Sequence, residues 1–140
     1  IVAPKGFGSE NMSKIYMLKP SAGIEGAKDA IVQAVDEAGP NPCPPMVVGV
    51  GVGGNFEMAA YLAKKALLRP IGSHSDKPHL REIEEELLER MNNLGIGPQG
   101  LGGVTTVLGV NVESYPTHIA GMPIAVNISC HVTRHAEVIL

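Results

Sequence analysis

Met46-Val47-Val48-Gly49-Val50-Gly51-Val52-Gly53-Gly54 is the stretch on which the reading of this chain turns. Its valines describe a buried strand, Met46 to Gly51, which leads through Gly53-Gly54 into the Ala- and Leu-rich run Phe56–Leu68. That run is a helix, ended by Pro70. Gly49, Gly51 and Gly54 also fit G-x-G-x-x-G, in which glycines let backbone approach a pyrophosphate at a helix N-terminus. A dinucleotide site would need an acidic residue about 20 positions on, at the end of a second parallel strand. Here that region is Ser73-His74-Ser75-Asp76-Lys77-Pro78, which reads as loop. The nucleotide signal is weak, and close packing of a strand on a helix accounts for the same glycines.

On the N-terminal side, Pro4 to Asn11 is a polar, glycine-bearing loop, and Lys14–Leu18 is a short strand closed by Pro20. Ile24, Ala27, Ile31, Val35 and Ala38 recur at helical spacing until Gly39-Pro40 stops the helix. Asn41-Pro42-Cys43-Pro44-Pro45 forms a stiff, extended path with few backbone donors. On the C-terminal side, a helix from about Pro78 to Asn92 turns Leu80, Ile83, Leu87 and Met91 inward. Its acidic residues Glu82, Glu84, Glu85, Glu86 and Glu89 are assigned to a solvated face. Val104–Glu113 and Ile124–Ile128 read as strands, and Val138-Ile139-Leu140 as a further strand or a frayed end. Helices lie between the early strands and loops between the later ones. The expected architecture is a two-layer α+β domain with a mixed sheet of four or five strands and about three helices.

Composition bounds the function. The 140 residues are 44% hydrophobic and 18% charged, with a net charge of -3, enough apolar content for one packed domain. No Lys/Arg cluster offers a footprint for nucleic acid. No apolar run approaches the roughly 20 residues of a membrane-spanning helix. Glycine (17) and proline (11) exceed their usual shares of about 7% and 5%. Ile1-Val2-Ala3-Pro4-Lys5 reads as a chain already in progress, so a part of a longer protein is expected.

Two cysteines, Cys43 and Cys130, make no secreted disulfide framework, and each alone reads as a small buried hydrophobe. His74 and His79 sit in or beside a polar loop and read as solvated. His118 lies in a mostly apolar stretch, where a lone histidine is usually structural. Arg134, between His131 and His135 and close to Cys130, suits a carboxylate near a metal or a pairing with the acidic helix. Cys43 and Cys130, far apart in sequence, do not form the C-x₂-C pair that makes a zinc reading strong.

Taken in order, several segments carry a family resemblance. They are Pro4-Lys5-Gly6-Phe7-Gly8-Ser9-Glu10-Asn11, Cys43-Pro44-Pro45, Gly49–Gly54, Gly95-Ile96-Gly97-Pro98-Gln99-Gly100-Leu101-Gly102-Gly103, His118-Ile119-Ala120 and Cys130-His131-Val132-Thr133-Arg134-His135. The chain resembles the α-subunit, or N-terminal α-region, of the iron–sulfur hydro-lyases: class I fumarate hydratases and L-tartrate dehydratases. The resemblance covers essentially the whole chain and identifies residues 1–140 as a single domain from the C-terminal part of such an α-subunit.

It implies a [4Fe-4S] cluster with Cys43 and Cys130 as two ligands and a third cysteine upstream of this stretch, so that the stretch alone would be inactive. It implies His118 as a catalytic, substrate-contacting residue, and Gly6 or Gly8 as backbone contacts to substrate. Arg134 and His135 would support substrate near the cluster. The implied reaction is reversible hydration of fumarate to malate, with dehydration of L-tartrate as the near alternative. An open iron would act as Lewis acid, and a base from the β-region would take the carbon-bound proton. Partners would be a β-subunit or β-region and a dicarboxylate, with a homodimer through exposed apolar surface expected as well. A reducing cytoplasm or mitochondrial matrix would suit an oxygen-labile cluster. A noncatalytic module binding phosphate or nucleotide through Gly49–Gly54 is the alternative from another class.

Overall fold

The computed structural model describes residues 1–140. The elements run α1 (Phe7–Glu10), β1 (Lys14–Leu18), α2 (Gly23–Ala38), β2 (Met46–Gly53), α3 (Phe56–Ala66), α4 (Pro78–Asn92), β3 (Val107–Tyr115) and β4 (Met122–Ser129), with 3₁₀ turns at Pro20–Ala22 and Pro98–Gly100. The four strands form one sheet in the order β1-β4-β2-β3. β2 and β3 are parallel, while β4 is antiparallel to both β1 and β2. This is the mixed sheet of an α+β domain, as expected. No helix is long and apolar enough to cross a membrane.

Alternation along the strands separates two faces. Val48 and Val50 of β2, Val110 and Val112 of β3, and Ile124, Val126 and Ile128 of β4 meet Ile31, Val35, Leu87 and Met91 of α2 and α4 in the main core. α2 ends where Gly39, at φ 53°, donates its N–H to Val35 O and Asp36 O. Lys28 bridges Glu25 and Glu86, which ties α2 to α4 by charge as well as by packing. The opposite face is built from small residues. Ala59 and Ala63 of α3 pack on Ala125, and an added Cβ at Gly49 or Gly51 would lie 2.3 Å from Ala63 O or 2.1 Å from Ala59 O. The glycines of β2 therefore admit the α3 backbone itself.

Two readings of local sequence change in the structure, and one open alternative is resolved. Glu84 is not on a solvated face: it is 3% exposed, forms an ion pair with Arg69 (2.7 Å) and accepts from the backbone of Ser75 and Val112. The segment Pro4–Asn11 contains the single helical turn α1 rather than loop alone. Ser9 fixes that turn by donating its hydroxyl to Gly6 O (2.9 Å). Val138-Ile139-Leu140 adds no strand, and the nearby Ala136 instead makes an isolated antiparallel bridge to Val2.

β3 is an edge strand, and α4 covers that edge with side chains. Asn92 Oδ1 accepts from the N–H groups of Thr106 and Val107, its Nδ2 donates to Val107 O, and Glu84 Oε1 accepts from Val112 N–H. These backbone groups are the ones a further strand would otherwise take.

Candidate functional site

The antiparallel pairing of β2 with β4 places the two cysteines. Cys43 lies just before β2 and Cys130 just after β4, and Val47 pairs with Ser129, so both thiols sit at one end of the sheet. The two loops touch: the His131 ring nitrogen Nδ1 is 3.0 Å from Cys43 O. Cys43 is exposed at φ 57°, in the left-handed region that a non-glycine residue seldom occupies, and Cys130 is half-buried. Both are free thiols. The 3₁₀ turn Pro98–Gly100 supports the Cys43 loop, with Gln99 N–H donating to Pro44 O (2.8 Å) and Gly100 seated against Pro40.

Beside the Cys130 loop is a cavity of about 520 Å³. Its walls bring together Lys5, Lys64 and Lys65, Arg134 and His135, with Ser129, Thr133, Asn127 and the body of Tyr61. The structure gathers Arg134 and His135 in one wall with the α3 lysines, which sequence reasoning did not single out. The Lys64-Lys65 pair closing an Ala-rich helix was the available signal. Gly6 and Gly8 lie next to this wall but do not line it. Gly6 is the residue before α1, and a Cβ at Gly8 would meet nothing within 4 Å.

Behind the lysines is the carboxylate of Glu10. It pairs with Lys5 (2.9 Å) and Lys64 (2.5 Å) and accepts from Asn127 Nδ2 (2.9 Å). Burial alone would raise its pKa, but hydrogen bonds from Lys64, Asn127 and Lys5 outweigh it and hold the carboxyl at about 2, against an ordinary 4.5. Lys5, more buried, is pushed below its usual value by desolvation, with the Glu10 hydrogen bond opposing that shift. A carboxyl whose folded pKa is depressed stabilises the fold fully above its unfolded pKa and loses that contribution as pH falls through the folded value. Unfolding midpoints measured between about pH 4.5 and 2 are accordingly expected to fall more steeply for the wild type than for Glu10→Gln.

His118 is elsewhere. Its loop joins β3 to β4 at the other end of the sheet, held where Gly54 N–H donates to Pro116 O and the Thr117 hydroxyl donates to Gly54 O. The length of β2, about 23 Å at roughly 3.3 Å per residue, separates it from the thiols. Its Nδ1 accepts from Ala120 N–H (3.1 Å), which leaves Nε2 free on the exposed side. Within this chain the structure does not bring His118 to the cysteines. Nor does any trio of His, Cys, Asp or Glu side chains converge as a metal site. The glycines of the nucleotide-like motif face protein: Gly49 and Gly51 meet α3, and a Cβ at Gly53 would lie 1.9 Å from Tyr115 O.

The family model described as fumarate hydratase (Fumerase) matches residues 1–139. The chain belongs to the fumarate hydratase family. Among curated relatives it is 50% identical over 136 residues to a Methanocaldococcus jannaschii protein named "Putative L(+)-tartrate dehydratase subunit alpha", covering 97% of this chain and 48% of that protein. It is 41% identical over 135 residues to the L(+)-tartrate dehydratase subunit alpha of Escherichia coli strain K12, covering 96% of this chain and 45% of that protein. The chain thus spans about half the length of the curated relatives it matches. In this fumarate hydratase family member, two soft thiols on touching loops beside a cationic cavity fit part of the ligand set of an iron–sulfur cluster. They do not by themselves supply a third cysteine.

Proposed function

We propose that this chain is part of the α-subunit of an iron–sulfur hydro-lyase that adds water to, or removes it from, a four-carbon diacid. The observation that carries the reading is the cavity beside Cys130, in which Lys5, Lys64, Lys65, Arg134 and His135 converge. A dianion desolvated there meets several donors at once, and Arg134 offers the planar fork that matches a carboxylate. Lys65 and Arg134 have no carboxylate partner within the chain, so their charge is available to a ligand. Cys43 and Cys130 would be two of the ligands that hold a cluster, with the His131–Cys43 contact fixing one loop on the other. Such a cluster, when bound, supplies Lewis acidity toward a substrate hydroxyl.

The residues of this chain then bind and orient. Lys5 and Lys64 neutralise one end of the diacid, and Arg134 with His135 the other, which presents the carbon bearing the hydroxyl toward the thiol loops. His118, with Nε2 free, would contact a substrate carboxylate presented by another part of the assembled enzyme, and Gly6 and Gly8 would offer backbone from the loop beside Lys5. The partner is a β-subunit, as the name "subunit alpha" of the relatives suggests. A reducing cytoplasm would keep the two thiols competent as ligands.

Fumarate/malate and L(+)-tartrate are supported equally: the family description names the first and the relatives' names the second. Comparing kcat/KM for malate and L(+)-tartrate on the full α/β enzyme assigns the substrate. In that enzyme, Cys43→Ser and Cys130→Ser are each expected to reduce iron and sulfide content to background and to abolish turnover. Retention of iron by both variants would remove the thiols from the ligand set.

A further inference from the structure

We infer that Glu10 is a positioning residue whose carboxylate, set behind the cavity wall, aims the ammonium groups of Lys5 and Lys64 at one carboxylate of the substrate. This rests on the diacid hydro-lyase reading and deepens it. Lys5 and Lys64 arrive from unrelated parts of the chain, the segment before α1 and the last turn of α3, and both line the cavity. Two cations on flexible stems at one site would otherwise repel and scatter. Glu10 separates them by giving one oxygen to each: Oε2 takes Lys5 and Oε1 takes Lys64. The carboxylate is itself anchored from the sheet, because Asn127 Nδ2 donates both to Glu10 Oε2 (2.9 Å) and to Ser13 Oγ (2.8 Å). Ser13 Oγ also accepts from Ile128 N–H, so the chain of contacts ends on β4, one strand residue from the Cys130 loop. Lys5 is held from a second side by Ser9 Oγ (3.2 Å). Glu10 does not line the cavity, and so acts through the lysines.

A carboxylate that merely ties α1 to α3 would predict the same contacts, so the test reads selectivity. In the full α/β enzyme, Glu10→Gln keeps the Asn127 contact and nearly the same shape while removing the charge. We expect KM for the substrate diacid to rise about tenfold with kcat within about twofold, and Glu10→Asp to recover part of the loss. The inhibition constant of succinate, a diacid, should rise by a similar factor, while that of butyrate, with a single carboxylate, should change far less. An unchanged succinate constant, or equal weakening of both inhibitors, overturns the positioning role. If Glu10→Gln does not assemble, Glu10→Asp carries the same comparison, and wild-type values for both inhibitors in that variant overturn it. Wild-type enzyme that turns over neither malate nor L(+)-tartrate would instead remove the hydro-lyase reading itself.

Discussion

Glu84→Ala is expected to destabilise the protein by about 3–5 kcal/mol, the cost of stripping one partner from a buried ion pair. Three donors would be left without an acceptor: the Arg69 guanidinium and the N–H groups of Ser75 and Val112. Arg69 keeps only a distant contact with Glu113 at 3.8 Å. Glu84→Gln, which retains an acceptor but not the charge, should lose less. Chemical denaturation of the three proteins checks the order, and equal midpoints for wild type and Glu84→Ala would show that water replaces the carboxylate. Since one of the orphaned donors belongs to an edge strand, the alanine variant should also aggregate more readily near its midpoint.

Gly51→Val should be more damaging still. A Cβ at this position would lie 2.1 Å from Ala59 O, 2.7 Å from Ala63 N and 2.8 Å from the Leu62 Cβ, and two of these are main-chain atoms of α3 that cannot rotate away. The helix would have to lift off the sheet, opening the Ala59–Ala63–Ala125 contact. A cost above about 4 kcal/mol is expected, a large fraction of the roughly 5–15 kcal/mol that holds a domain folded. Expression of folded chain, followed by its thermal midpoint, is the measurement. Gly8→Val, where a Cβ meets nothing within 4 Å, serves as the comparison and should fold normally. A stable Gly51→Val protein would mean that α3 can sit farther from the sheet than the structure places it.

These two sites mark the limits of sequence reading in opposite ways. The glycines of β2 invited a nucleotide interpretation because spacing alone does not say what approaches a backbone, and the structure answers that α3 does. Glu84 was grouped with its acidic neighbours, although Leu80, Glu84, Leu87 and Met91 share one helical face at spacings of four, three and four. The pattern was visible, but its partner Arg69 comes from a loop fifteen residues away, which no periodicity registers. Strong periodic elements such as α2 and the apolar run of β4 were legible because burial itself imposes their pattern. Only family resemblance linked Cys43 with Cys130 in the sequence, since an antiparallel strand pair rather than local spacing brings their loops to one end of the sheet. The cavity lysines were missed for the same reason. Asn127, polar and 6% exposed within an apolar strand, was the residue that could have pointed to Glu10.

The Val2–Ala136 bridge has a consequence for how the cavity comes into being. One wall is Ala3-Pro4-Lys5 and another is Val132 to His135, segments about 130 residues apart in sequence that the two backbone bonds of this bridge draw together. Closing so long a loop is among the last contacts to repay its entropy during folding. On the hydro-lyase reading, a diacid held between Lys5 and Arg134 would act as a clasp across that closure. Binding there would then stabilise the folded chain by mass action, so that affinity for the ligand and integrity of the fold are linked.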